Sequence, residues 1–355
     1  MRKALLKHFA GKAKLPGSST ALCLALFLPV VSCAVHAENP ATQCRYINFA
    51  TFPVKFIDRH VAIDGSLNGS ATTMMIDSGS QRTQITRQEA EKLGLTLSHS
   101  NSYSIGTGGE SVLYTTRLDD FSFGKLAWQR VHLGVLWDLD KSLNYGALIG
   151  ADILFHQDVE LAMGNRQIKF FEPNACDQSF LAYWDENALS TPMHAMSSDD
   201  LRQVITVEVN GQKMRALIDT GASTSVIDLA AAARAGITPQ SPEVVALGSG
   251  AGIGKHRSQM WQARFQSFSI GEEKIDHPTI SIMDIYGAAR ADSNHVAATD
   301  TMLYDQPEML LGADFLRAHR LLFALSQKRL YFSYLGGQVF GTSHQLQVSE
   351  QTASH

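Results

Sequence analysis

The sequence predicts an all-β protein made of two similar halves. Three observations carry that expectation: an internal repeat, strand-period alternation running into an Asn-Gly turn in both copies, and an acid at the end of an apolar strand in both. A shift of 142 residues superposes Asn68-Gly69 on Asn210-Gly211, Ile76-Asp77 on Ile218-Asp219 and Gly79 on Gly221, and it continues without a gap to Gly106 and Gly108 on Gly248 and Gly250. Positions 68 to 108 hold 11 identities in 41, against roughly two or three expected from average composition. A second shift, of 162, places Leu148-Ile149-Gly150-Ala151-Asp152 on Leu310-Leu311-Gly312-Ala313-Asp314, so the second copy has gained 20 residues. Because Phe121-Ser122-Phe123-Gly124 still matches Phe268-Ser269-Ile270-Gly271, the insertion falls after residue 271, around Tyr286 to Pro307, where a surface loop absorbs added length cheaply.

Each copy reads as short strands with one helix. Ile205, Val207 and Val209 alternate with polar residues before the Asn-Gly turn, and Ile63, Gly65 and Leu67 hold the matching places, the pattern of a half-buried hairpin strand. The returning strand ends in Met74-Met75-Ile76 or Ala216-Leu217-Ile218 and delivers an acid into a Gly-bearing turn. Residues 87 to 93 and 229 to 235 follow as a short helix that stops at Gly94 or Gly236. Asp152 and Asp314 read as helix-starting residues that satisfy free backbone N–H groups. Between the copies, Glu172 to Asp200 mixes Pro, Asn and Ser with little periodicity and reads as a connection, and the polar segment from Gly336 to His355 reads as a loose tail.

The first 37 residues read as an address. Arg2, Lys3, Lys7, Lys12 and Lys14 form a basic start without an acid, and the apolar run from Ala21 to Val31, broken only by Pro29, suits a signal-peptide core and is too short to span a bilayer. Two processing routes stay open: cleavage after Ala37, or lipidation of Cys33, since Val30-Val31-Ser32-Cys33 resembles a bacterial lipobox. The expected location is periplasmic or secreted, with a membrane-anchored lipoprotein as the second form. The intact chain has 355 residues, 45% of them hydrophobic and 18% charged, and a net charge of -4. Loss of residues 1–37 leaves 25 basic against 34 acidic residues, a net -9. No basic face is left for a nucleic-acid backbone. Cys44 and Cys176 survive either route, and in an oxidising compartment they are a disulfide candidate, with two unpaired thiols as the alternative.

The chemistry lies in Asp77-Ser78-Gly79-Ser80 and Asp219-Thr220-Gly221-Ala222. An acid at the mouth of an apolar strand is costly to ionise unless its charge is accepted or shared. A hydroxyl residue followed by glycine permits a tight turn in which backbone approaches the carboxylate. If the halves pack about a pseudo-twofold axis, the turns meet and the two carboxyls share one proton, giving one acid and one base around a water. Ser80, with Ala222 as its counterpart, predicts a hydrogen bond from the hydroxyl that favours charge on Asp77 and leaves the proton on Asp219. Other chemistries lack their signatures: no Lys follows the Gly-rich segments at nucleotide-loop spacing, no His-Glu-x-x-His or paired Cys at zinc spacing occurs, and no Gly-x-Ser-x-Gly supports Ser225 and His256 as a hydrolase pair. Neither a metal nor a cofactor is expected.

These residues resemble the retropepsin-like aspartic proteases and, more loosely, the two-lobed pepsins, over nearly all of residues 50–335 and twice over. The resemblance implies two β-barrel-like lobes, residues 45–175 and 201–335, joined through 176–200 and followed by a flexible tail at 336–355. It implies an aspartic endopeptidase with Asp77 and Asp219 as catalytic acids facing each other across a cleft for an extended peptide or protein substrate. Ser78 and Thr220 match the hydroxyls that brace the two turns. Gly106-Thr107-Gly108 and Gly248-Ser249-Gly250 match substrate-covering flap tips. Both acids lie on one chain, so a monomer is expected to be the active unit. A dimer pairing its repeats in trans, a periplasmic protein that binds peptide or another ligand without cleaving it, and a structural β module stay open as alternatives.

Overall fold

The computed structural model describes residues 43–57, 59–137, 143–292 and 305–341. The leader at 1–37 with the Cys33 lipidation site, much of the insertion, and residues 342–355 of the tail lie outside the described residues. Among the described residues no helix is long and apolar enough to cross a membrane.

Strands dominate, and the two halves repeat one topology. In the first, the acid-bearing strand Ser70–Ile76 pairs in parallel with Ala147–Ile149, which pairs antiparallel with Gln84–Thr86, itself parallel to Leu126–Leu136. In the second, Gln212–Ile218, Met309–Leu311, Val226–Asp228 and Thr279–Met283 make the same three pairings. The hairpin turns that open both copies have positive φ at both central residues, Asn68 and Gly69, then Asn210 and Gly211, which is the geometry Asn-Gly selects. Each Asn also serves as a tie, its Oδ1 accepting backbone N–H bonds from Asp119 and Asp120 in one half and from Gln266 and Ser267 in the other. The helices form at Arg87–Lys92 and Leu229–Arg234, capped by Thr86 and Asp228 side chains and closed by Gly94 and Gly236 in left-handed conformations.

The halves are joined by a shared layer of strands. Arg45–Pro53, Gln167–Asn174 and Asp158–Ala162 from the first half meet His319–Ala324 and Arg329–Tyr334 from the second, with Asp158–Ala162 paired to His319–Ala324 at the join. One core runs through both halves, with Phe155 packed at a tilt against Phe323, 5.0 Å between ring centres.

The connection at 176–200 is more ordered than its composition predicts. Leu189–Ala195 is a strand bonded to both Arg329–Tyr334 and Gln203–Val209, and it extends the shared layer into the second lobe. The residues before it cover that layer's outer face, where Leu181 and Ala182 pack with Phe171, Leu322 and Tyr331. A sheet with two apolar faces needs cover on both, which local periodicity does not reveal. The cover is tied down by a Cys44–Cys176 disulfide and by the fully buried Glu160, which accepts from Tyr183 Oη at 2.6 Å and Arg320 Nε at 2.9 Å. The start of the tail also departs from expectation: Phe340 is buried, its ring 4.9 Å from Phe268, so residues 336–341 are anchored by one aromatic side chain.

The disulfide encloses a loop of 132 residues in sequence. Cys176→Ser is expected to lower unfolding free energy by about 2–5 kcal/mol, read from the urea midpoint under oxidising conditions. An unchanged midpoint would contradict a staple role for this bond.

Candidate active site

Both acids emerge where an apolar strand gives way to a tight turn. Ile76 and Ile218 are buried, and the amides of Asp77 and Asp219 each donate to the neighbouring parallel strand, at Ile149 O and Leu311 O, 2.9 Å in both cases. The turn then folds back onto its own carboxylate. Asp77 Oδ1 accepts from Gly79 N and Ser80 N at 3.0 Å each, and Asp219 Oδ1 from Gly221 N at 2.9 Å and Ala222 N at 3.1 Å.

What brings the two turns together is a reciprocal exchange between Ser78 and Thr220, both 1% exposed. Ser78 N donates to Thr220 Oγ1 at 2.9 Å, and that hydroxyl donates to Ile76 O at 2.6 Å. In return Thr220 N donates to Ser78 Oγ at 3.0 Å, and Ser78 Oγ donates to Ile218 O at 2.7 Å. Gly79 and Gly221 complete the approach, because a Cβ on either would collide with the opposite half's carboxyl. The two carboxyls thus lie in hydrogen-bonding contact.

Burial and then the neighbouring Asp219 charge push the Asp77 carboxyl up to about 8, against the pull of the Gly79 and Ser80 amides. Burial also raises Asp219, but the Gly221 and Ala222 amides, the hydrogen bond from Asp77 and the Arg202 charge all favour its ionised form. Arg202 is itself held by a two-pronged bond to Asp200, Nε to Oδ1 at 2.9 Å and one terminal nitrogen to Oδ2 at 2.6 Å. Both carboxyls are thus raised by burial, and the pair resists carrying two charges at once. The hydrogen bond expected from the Ser80 hydroxyl to Asp77 is not formed. The Ser80 hydroxyl donates to Arg82 O at 2.9 Å, so only its backbone N–H reaches Asp77, and Ala222 supplies the same bond to Asp219.

A supporting layer lies directly behind. Asp152 Oδ1 accepts from both Thr83 N and Thr83 Oγ1 at 2.7 Å, while Thr83 Oγ1 accepts from Gly150 N. Asp314, Ser225 and Gly312 repeat the arrangement, with Ser225 Oγ donating to Asp314 Oδ1 at 2.6 Å. The helices at Ala151–Leu154 and Ala313–Leu316 are preceded by Gly150 and Gly312 without a side-chain cap, so Asp152 and Asp314 act mainly as braces for the neighbouring strand. Thr83 and Ser225 were findable, since the 142-residue shift aligns two hydroxyls there. Arg202 was not, because the first copy has His60 at that place. Tyr145 and Tyr286 flank the acids from opposite halves, and burial raises both phenols. Ser225 and His256 are engaged with Asp314 and Asp292 respectively.

Two hairpins carry the Gly-rich segments. Gly106, Thr107 and Gly108 lie at the tip between Ser98–Gly106 and Gly109–Phe123. The second hairpin, Val245–Ala251 with Arg257–Arg264, has its tip at residues 252–256, so Gly248, Ser249 and Gly250 belong to its ascending strand. A register break beside Gly248, which has φ +96°, displaces the turn beyond the aligned glycines.

Folded and unfolded states bind different numbers of protons here. Between the ordinary unfolded carboxyl value of about 4 and the folded value near 8, the native pair holds a proton that the unfolded chain has released. Stability contributed by this proton is full below pH ~4 and is lost as pH rises to about 8, with a slope of at most about 1.4 kcal/mol per pH unit. Asp77→Asn is expected to flatten that slope in urea melts taken across this range. An identical slope in the variant would contradict a retained proton.

The family model described as aspartyl protease matches residues 63–153 and again residues 205–315. Among solved structures, a retropepsin-like aspartic protease from Rickettsia conorii is 19% identical over 37% of this chain and 97% of its own, with a TM-score of 0.28. An aspartic proteinase from Irpex lacteus is 13% identical over 83% of this chain and 98% of its own, with a TM-score of 0.45. No curated protein matches the sequence. With more than half of its residues matched, in two copies that follow the internal repeat, the chain belongs to the aspartyl protease family.

Proposed function

We propose that this chain is an aspartic endopeptidase in which Asp77 and Asp219 of one molecule activate a water to hydrolyse peptide bonds. The observation that carries the reading is the pair of acidic turns that the Ser78–Thr220 exchange holds together, each carboxyl against the other half's glycine. One charge in so small a volume is tolerable and two are not, so the pair offers an acid and a base at the same pH. In the proposed step Asp219 takes a proton from water as its oxygen attacks the peptide carbonyl carbon, and Asp77 gives its proton to the carbonyl oxygen. Proton transfer to the nitrogen then accompanies C–N cleavage, leaving a carboxylic acid and an amine.

An extended peptide beneath the two hairpins fits this geometry, since strand-like backbone offers main-chain bonds to both. Both acids come from one chain, which supports a monomer as the active unit. The basic, apolar leader and the Cys44–Cys176 bond support export to the periplasm or secretion, with the Cys33 lipid anchor as the alternative form.

The test is hydrolysis of an unbiased peptide mixture by the mature chain across acidic to alkaline pH. Asp77→Asn and Asp219→Asn should each cost about a hundredfold or more in kcat, and the wild-type rate should fall as pH rises through about 8, where the shared proton leaves. Peptides that bind equally well to wild type and both variants without being cut would favour a binding protein on the same fold.

A further inference from the structure

The two flap tips are joined to each other, and the joint includes a residue from the insertion that only the second half carries. Gly108 N donates to Ile253 O and His256 N donates to Gly108 O, both at 2.9 Å, so the tips share a short parallel bridge between Gly108 and Gly254. No side chain fits between these backbones: a Cβ on Gly254 would meet the Gly108 carbonyl, and one on Gly106 would meet Ile253. Ile253 itself packs against an apolar patch of the first half, Met75, Leu136 and Leu148 beside Tyr145. The second-half flap therefore reaches across the cleft to the wall adjoining Asp77.

Asp292 closes this joint. It ends the short helix Gly287–Asp292, which lies against the first flap's descending strand. Its Oδ2 accepts from Glu110 N of the first flap at 3.0 Å, and its Oδ1 pairs with His256 Nε2 of the second at 2.7 Å. A Cβ on Gly109 would strike this carboxylate, so the glycine admits it to the tip. Burial works against its charge, but the Glu110 amide, His256 and Lys255 outweigh burial and hold the carboxyl below the usual range. A carboxylate that stays ionised in acid keeps both of its flap bonds where a one-proton dyad operates.

We propose that Asp292 is a positioning residue that latches the two flaps together over the cleft, so that a peptide reaches the acids only after the latch opens. This rests on reading the cleft as the peptide site. It also assigns a role to the second-half insertion: among the described residues the first copy shows no counterpart of the helix, so one half carries the latch for both.

The deciding measurement is amide hydrogen exchange on the full mature chain, wild type against Asp292→Ala, Asp292→Asn and His256→Gln. In Asp292→Ala the amides of Gly108, Glu110 and His256 should exchange roughly tenfold faster or more, while Gly79 and Gly221 under the acids keep their protection. Asp292→Asn and His256→Gln each retain one bonding group, should fall between, and decide the matter if the alanine variant does not fold. With peptides cut by the wild type, Asp292→Ala should lower KM severalfold with kcat little changed. Unchanged exchange at the three amides, acceleration spread evenly to Gly79 and Gly221, or faster exchange with an unaltered KM would each overturn the latch. If the wild type cuts nothing, the protease reading fails separately and the exchange pattern alone decides the latch.

Discussion

Two carboxyls forced together where the halves meet, Asp77 buried and Asp219 half-buried, are the constraint on which the rest of this structure depends. Left to themselves, Asp77 and Asp219 would separate or ionise into solvent. Ser78 and Thr220 prevent separation by exchanging four hydrogen bonds across the halves, all buried and all at good length. Burial and mutual repulsion both oppose ionising the two together. The braces behind, from Asp152 to Thr83 and from Asp314 to Ser225, hold the strands that position each turn. Each layer has a twin in the other half because the same problem is solved from both sides.

The departures from symmetry carry their own meaning. Arg202, paired with Asp200, stands on the Asp219 side and has His60 as its counterpart in the first copy, so a cation favours the ionised form on one side alone. The second flap extends beyond its aligned glycines, and the second half alone supplies Asp292 to both tips. A duplicated gene starts with equal halves, and these differences give one of them both the nearby cation and the flap contact.

Much of this was legible in the residues. Strand alternation, the Asn-Gly turns, the two helices with their closing glycines and the paired acidic turns all rest on local rules, and local rules act the same way twice. What escaped depends on contacts distant in sequence. The strand at Leu189–Ala195 exists because two edges of sheet are available to it, and Phe340 is ordered because Phe268 and Phe315 leave room for a ring. The Ser80 hydroxyl turns to Arg82 O because the Asp77 oxygen it was expected to reach is already taken by two amides. The flap tip moved because an ungapped alignment does not register a bulge, although the further glycines Gly252 and Gly254 were in view.

Neutron diffraction from crystals grown at about pH 6 reads the central claim most directly, since it locates the proton itself. One deuteron shared between the facing oxygens of the two carboxyls is the expected result. Two bare carboxylates, a deuteron on each, or side chains turned apart beyond hydrogen-bonding reach would contradict it.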